Sequence, residues 1–292
     1  MRLLNSFEYL EAVAKEGSIR KAAESVAITA TALNRRILAL ETEIGMPLFE
    51  RLPSGVRLNA AGELFLHHVR AQGSDLTRVL AQIADLSGLR RGQVNLSLCS
   101  EMQSGAIAKA IAHYRRDYPG VNFALFETNP EETLERLETF KVDIAFSFEV
   151  LPPTRTHLIT NMPQTIEVAM NPNHPLAQNS CVRLHECRDY PIILPSDNTL
   201  RTSIDVGLMQ QGLNITPIMV CNNAASIHDY LGYENTLAFH FAFARPNFPH
   251  VHSVPVRSKD LGLAHLKIYK IKGRVLPVPA AKFLDQIVRT IT

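Results

Sequence analysis

Residues 16–51 read EGSIRKAAESVAITATALNRRILALETEIGMPLFER. Helical periodicity explains this order. Upstream, Leu3, Phe7, Leu10 and Val13 recur at helical spacing, and Gly17 ends the run. Ser18 is placed to cap a second, short helix with Ile19, Ala22, Ala23 and Val26 inward. The paired alanines let two helices approach closely. Thr29 then caps a third helix, in which Leu33, Ile37, Leu40 and Ile44 share one face. At about 100° per residue, the opposite face carries Thr31, Arg35, Leu38 and Thr42, with Asn34 on a flank. Gly45 stops this helix and Pro47 prevents its restart.

Two short helices joined by a tight turn, the second with Thr and Arg outward, make a helix-turn-helix pattern whose second helix suits a major groove. An ordinary three-helix unit with a solvated arginine satisfies the same spacing. Leu48 to Arg51 and Val56 to Leu58 alternate around the turn Pro53-Ser54-Gly55, which reads as a small hairpin, or wing. Arg35 is long enough for a guanine edge or a phosphate, and Arg51 and Arg57 are placed for backbone phosphates.

From Asn59 to about Leu89 there is no proline. Phe65, Val69, Gln72, Leu76, Val79, Ile83 and Leu86 form a heptad seam, narrow enough to suit another helix and read as a dimer interface. Packing on its own domain is the alternative. Gly88, Arg90, Arg91 and Gly92 break the pattern, so a hinge is placed at residues 90–92.

The rest of the chain alternates strand and helix patterns. Val94 to Leu98, Val121 to Glu127 and Asp143 to Phe148 read as strands, with helices from Ile107 to Tyr114 and Glu131 to Phe140 between them. A second set runs Ile192 to Leu194, Leu200 to Gln211, Thr216 to Cys221, Ala225 to Gly232 and Thr236 to Ala242. This order predicts parallel sheets with helices on their faces. The last helix, from about Ala280 to Ile291, is expected to return to the first set.

The run AAESVAITATALNRRILALETEIGMPLFER followed by GVRLNAAGE resembles the winged helix-turn-helix of the LysR-type transcriptional regulators. The resemblance implies an α/β architecture with an N-terminal winged helix-turn-helix at 1–58, a long linker helix at 59–89, and a two-lobed, periplasmic-binding-protein-like effector domain at 93–292. The lobes are expected at about 93–160 plus 268–292, and at 161–267. It implies binding to double-stranded operator DNA, a small-molecule co-inducer, homodimers that assemble into homotetramers, and RNA polymerase as a further partner. The DNA-binding residues are then Thr29, Ala30, Thr31, Asn34, Arg35, Arg36, Arg51 and Arg57. Ala30 and Asn34 depart from the family's usual Gln and Ser, so the operator of a relative does not transfer. Asn59 replaces the usual Thr before the linker helix and caps equally well.

Ligands of open α/β sheets sit beyond the carboxyl ends of strands, often at helix N-termini. That rule selects Ser100, Glu101, Gln103, Ser104, Phe148, Ser196, Thr199, Arg201, Asn222, Asn223 and His240. The resemblance points to the same places, above all Ser100 and Thr199. Arg201 suits a carboxylate and Glu101 an amino group, and the sequence leaves both open. Glu234-Asn235 stands where the family has glycines. Phe146, Phe148, Phe239, Phe241 and Phe243 alternate as a core face or as an aromatic pocket wall.

Bulk properties bound these readings. A chain of 292 residues predicts two or three domains, and a net charge of +2 confines any nucleic-acid site to a local arrangement of Arg and Lys. Cys99, Cys181, Cys187 and Cys221 form no C-x-x-C pair, which fits buried thiols in a reducing compartment. Glu8 and Glu11 interrupt any apolar leader, and no apolar run is long enough to span a bilayer, so a cytoplasmic protein is expected. There is no G-x-S-x-G, P-loop or G-x-G-x-x-G. His250-x-His252 lacks further ligands, so no catalytic residue, cofactor or metal is expected. An enzyme or binding protein using the two-lobed domain, and an architectural DNA-binding protein without ligand, are the alternatives.

Overall fold

The computed structural model describes residues 2–53, 55–86, 91–102, 105–245 and 248–291, with side-chain surroundings for all of these except 2–7, 74, 77, 78, 80–86 and 290–291. They divide into two compact units, Met1–Thr77 and Arg78–Thr292.

The first unit begins with α1 (Arg2–Glu16), α2 (Ile19–Ser25) and α3 (Ala30–Ile44). The cap chemistry read from the sequence is present. Ser18 Oγ accepts from Lys21 N at 3.5 Å, and Thr29 Oγ1 from Ala32 N at 3.2 Å. Gly45 closes α3 in the left-handed region at φ 83°. Val13, Ala22, Ala23, Leu33 and Ile37 form one buried cluster, and Leu10, Leu40, Leu48 and Leu66 another. The hairpin β1 (Phe49–Leu52) and β2 (Gly55–Leu58) pairs antiparallel.

Two contacts fix that hairpin. Glu41 Oε1, near the end of α3, accepts from Leu48 N at 2.7 Å and Phe49 N at 3.1 Å. At the other end, Val56 N donates to Gly17 O at 2.9 Å. A Cβ at Gly55 would lie 2.2 Å from Gly17 O, so glycine is required there.

The long helix α4 (Ala60–Leu86) is capped by Asn59, whose Oδ1 accepts from Gly62 N at 2.9 Å and whose Nδ2 donates to Pro47 O at 2.8 Å. The expected seam divides along its length. Leu66 and Val69 are buried and Phe65 packs on the first unit's core, so this end of the helix belongs to its own domain. Leu76 and Val79 remain 43% and 36% exposed. The side chains of Ile83 and Leu86 lie outside the described residues, as do residues 87–90, where the expected linker ends and the hinge begins.

The second unit holds two five-stranded sheets. The first contains β3 (Gly92–Leu98), β4 (Val121–Glu127), β5 (Ile144–Ser147), β6 (Thr156–Gln164) and β12 (Ala264–Ile271), in the order β4-β3-β5-β12-β6. The second contains β7 (Ile166–Met170), β8 (Ile192–Leu194), β9 (Met219–Val220), β10 (Leu237–Phe241) and β11 (His252–Pro255), in the order β11-β7-β10-β8-β9. Packed with them are α5 (Gly105–Asp117), α6 (Pro130–Glu138), α7 (Leu184–Cys187), α8 (Thr199–Gln210), α9 (Ala224–Tyr230), α10 (Ser258–Leu261) and α11 (Val278–Ile291). The last helix returns to the first lobe, where Phe283 packs edge-on against Tyr114 and Phe123. No described helix is long and apolar enough to cross a membrane. All four cysteines are free, and burial pushes the Cys187 thiol up to about 12.

Two expectations are corrected. The sheets are mixed, because β6 and β12 in one, and β7 and β11 in the other, run antiparallel to their neighbours. The lobe boundaries also move. The first sheet keeps the chain to Gln164 rather than 160 and regains it at Ala264 rather than 268.

Gly62 generates a stability prediction. A Cβ there would stand 2.1 Å from Leu48 O, whereas Gly73 faces open space. Gly62→Ala should cost about 1–3 kcal/mol in denaturant titration. Gly73→Ala, in the same helix, should stabilise by up to about 1 kcal/mol.

Candidate functional site

On α3 the outward stripe forms as the periodicity predicts: Thr31, Arg35, Leu38 and Thr42 are exposed, with Leu38 at 45%. Arg35 makes no ion pair or side-chain hydrogen bond among the described residues. Arg36 is different. Its guanidinium lies 4.7 Å from the Tyr9 ring centroid and donates to the Tyr9 hydroxyl, which ties α3 to α1. Thr29 Oγ1 is occupied as the cap, and Ala30 opens the helix beside it. Arg51, on the wing, donates to Asn34 Oδ1 at 3.3 Å. That contact occupies the Asn34 carbonyl oxygen and leaves the NH2 group as the donor end of the amide. Arg57 pairs across the wing with Glu50 at 3.0 Å.

In the second unit, parallel strands bring their carboxyl ends to a cleft between the lobes. One cavity there, with an empty volume of about 640 Å3 including its open mouth, is lined by Asn198, Asn222, His228, Phe239 and His240 among others. A second, of about 450 Å3, is lined by Thr128, Ser147, Phe148, Glu149, Asp197 and Thr199 among others. The two share Ser100, Glu101 and Asn198 in their walls. Glu101 spans the lobes: its Oε1 accepts from Thr199 N, at the start of α8, at 3.0 Å. Ser100 Oγ donates to its Oε2 at 3.2 Å. The Phe148 and Phe241 rings stack with centroids 3.9 Å apart.

The cleft's titratable groups follow from burial. Burial holds the His240 ring at about 4, despite the carbonyl of Phe241 and the carboxylate of Glu167 nearby. Nδ1 of His240 is 2.9 Å from Phe241 O, so Nδ1 carries the proton, and Nε2, 2.9 Å from Ser253 Oγ, accepts. Glu167 is buried and forks with Arg245, whose Nε donates to it at 2.8 Å. Burial and Glu101 together raise the Cys99 thiol. Among the described residues, no group of three or more His, Cys, Asp or Glu is placed to hold a metal ion.

Ser100, Glu101, Phe148, Thr199 and His240 therefore converge on the cleft. Gln103 and Ser104 lie outside the described residues. Three of the expected residues do not line it. Ser196 bonds Asn222, Asn223 caps α9 by accepting from Ser226 N, and Arg201 turns back on its own helix. Arg201 Nε bonds both Asp205 oxygens at 2.8 Å, and its Nη1 donates to Pro195 O at 3.0 Å. Thr128, Asn198 and His228 escaped the sequence reading, whereas Asn222 was selected with Asn223 and does line the cavity. The strand-end rule, applied to β4 and β8 as fully as to β3, selects Thr128 and Asn198.

Comparison with known proteins finds two family models. That of the bacterial regulatory helix-turn-helix protein, lysR family, matches residues 4–63, and that of the LysR substrate binding domain matches residues 87–291. The HTH-type transcriptional activator CmpR of Synechocystis is 26% identical, with 97% of this chain and 94% of the relative covered. The HTH-type transcriptional regulator AlsR of Bacillus subtilis is 30% identical over 65% of this chain and 63% of its own length. Among solved structures, full-length CbnR complexed with its target DNA is similar at a TM-score of 0.60 and 17% identity, covering 98% of this chain and 99% of that one. Full-length OxyR from Pseudomonas aeruginosa is similar at a TM-score of 0.64 and 15% identity, covering 99% and 94%. At these identities the structures establish the fold.

The buried His240 makes a pH prediction. Its pKa is depressed from 6.5 to about 4, so its contribution to stability is present above pH 6.5 and lost as pH falls toward 4. That amounts to about 3 kcal/mol. His174 and His228 are shifted in the same direction by burial. Denaturant titrations at pH 7 and pH 4.5 should show His240→Asn flattening this slope relative to the natural chain.

Proposed function

The chain belongs to the lysR family of bacterial regulatory helix-turn-helix proteins, and from that premise we propose how its two units divide the work. It is a DNA-binding transcriptional regulator with an effector-binding domain. In our reading α3 enters the major groove, and its outward stripe carries the recognition. Arg35 reaches a guanine edge or a phosphate, and Asn34 donates to a base acceptor. Leu38, apolar and exposed in the middle of the stripe, meets a thymine methyl. Arg51 and Arg57 contact the phosphate backbone from the wing. The observation that supports this best is an exposed arginine centred on a helix face whose opposite side is fully packed.

We further propose that two copies pair through α4, with Leu76 and Val79 as described members of the seam. Pairing places two recognition helices on half-sites about one helical turn, or a multiple, apart. Dimers assemble into tetramers, and RNA polymerase is the downstream partner. The effector occupies the interlobe cleft. It acts by binding two arrangements of the lobes unequally, and so shifts their populations.

The test is binding of the purified chain to labelled DNA from upstream of its own gene, beside scrambled DNA, across a salt series. Arg35→Ala should weaken binding to the specific site by about 1–3 kcal/mol. Equal, salt-sensitive binding to both DNAs would contradict sequence recognition. A paired Leu76→Asp and Val79→Asp variant should sediment as a monomer and lose most of its site affinity; an unchanged sedimentation coefficient would remove this part of α4 from the dimer.

A further inference from the structure

We propose that the effector presents a positively charged amino or amidinium group to Glu101, and that this position rejects small carboxylates. The inference rests on the reading above, that the cleft takes the effector. Its first support is the start of α8. The N-terminus of a 12-residue helix attracts an anion through its unpaired amides and its dipole. Here the chain supplies that anion itself, because Glu101 already accepts from Thr199 N. A carboxylate has about four acceptor positions. Thr199 N, Ser100 Oγ and the Cys99 thiol take up part of that capacity, and Glu101 lines both cavities.

The second support is what the walls contain. Among the described residues, the lining includes Glu101, Glu149 and Asp197, and no lysine or arginine. The nearby cations are committed elsewhere. Arg201 is held by Asp205 and the Pro195 carbonyl, and Lys267 Nζ donates to Phe148 O at 2.7 Å and His265 O at 3.1 Å. His240 has both ring nitrogens engaged. An incoming carboxylate would meet Glu101 with no counter-charge. An incoming amine would meet an acceptor, together with the aromatic walls of Phe148, Phe239 and Phe241, which favour cations.

The experiment uses the full chain and two matched sets of probes. One is butane-1,4-diamine, butane-1,4-diol and succinate; the other is 2-phenylethylamine, 2-phenylethanol and phenylacetate. Binding is read by calorimetry and by the melting temperature. The amines should bind and raise the melting temperature, and the acids should do neither. Glu101→Gln, whose unliganded melting transition checks its folding, should bind the amine at least tenfold more weakly. Binding of a carboxylate to the natural chain, alcohols binding as tightly as the amines, or undiminished amine binding in Glu101→Gln would overturn the assignment while leaving the cleft as the effector site. Absence of binding by every probe, charged and neutral, would count against both the assignment and the cleft.

Discussion

The chain crosses between the two sheets twice, and the cleft exists because the crossings lie side by side. The first crossing is Thr165, between β6 and β7, and the second runs from β11 through α10 to β12. Register holds them together: Glu167 pairs with Pro255, and Gln164 with Ala264. Hydrogen bonds tie the second lobe to this junction, from Ala242 N to Thr165 O and from Phe243 N to Gln164 Oε1, both at 2.9 Å. One apolar core runs through both lobes, from Leu96 and Phe146 to Leu237 and Phe241. Every cleft residue inherits its position from this frame. Ser100 and Glu101 follow β3, Phe148 follows β5, and Asn198 follows β8.

The N-terminal unit rests on a smaller version of the same principle. Three elements meet at Leu48, which is fully buried. Its amide is held by Glu41 of α3, and its carbonyl accepts from Asn59 N at the foot of α4. The absence of a side chain at Gly62 lets α4 approach that carbonyl. Recognition helix, wing and linker helix are therefore fixed to one another through a few atoms. The Arg51 to Asn34 contact extends this order to the surface that faces DNA in the proposed function.

How much of this was legible varies with the physics. In the first unit nearly all of it was, because caps, glycines and a 3.6-residue period are local signals. The parallel strands of the second unit were legible as well: β5, β8 and β10 are buried on both faces and read as apolar runs. The antiparallel strands were not. Within β6, Pro163 removes a backbone donor, and the strand is half exposed as an edge, so its apolar pattern is faint. β12 does alternate, in Leu266 and Ile268 and, past a register shift, in Tyr269 and Ile271, but no local signal says that it pairs with β5, more than a hundred residues earlier. In the cleft, strand ends were a sound guide to which segments converge and a poor guide to orientation. Arg201 points back to Asp205, one helical turn on, and Asn222 rather than Asn223 faces the cavity. The aromatic alternation serves both purposes considered for it: Phe146, Phe148, Phe239 and Phe241 share one core, and the last three also line the cavities.

The central claim is that a pair of α3 helices reads two half-sites on one face of a duplex. Hydroxyl-radical footprinting of the full chain on DNA selected from its own genome tests it most directly. The account predicts two protected patches on the same face, separated by one helical turn or a whole multiple of it and both lost in Arg35→Ala. A single patch, or uniform protection that Arg35→Ala leaves intact, would contradict it.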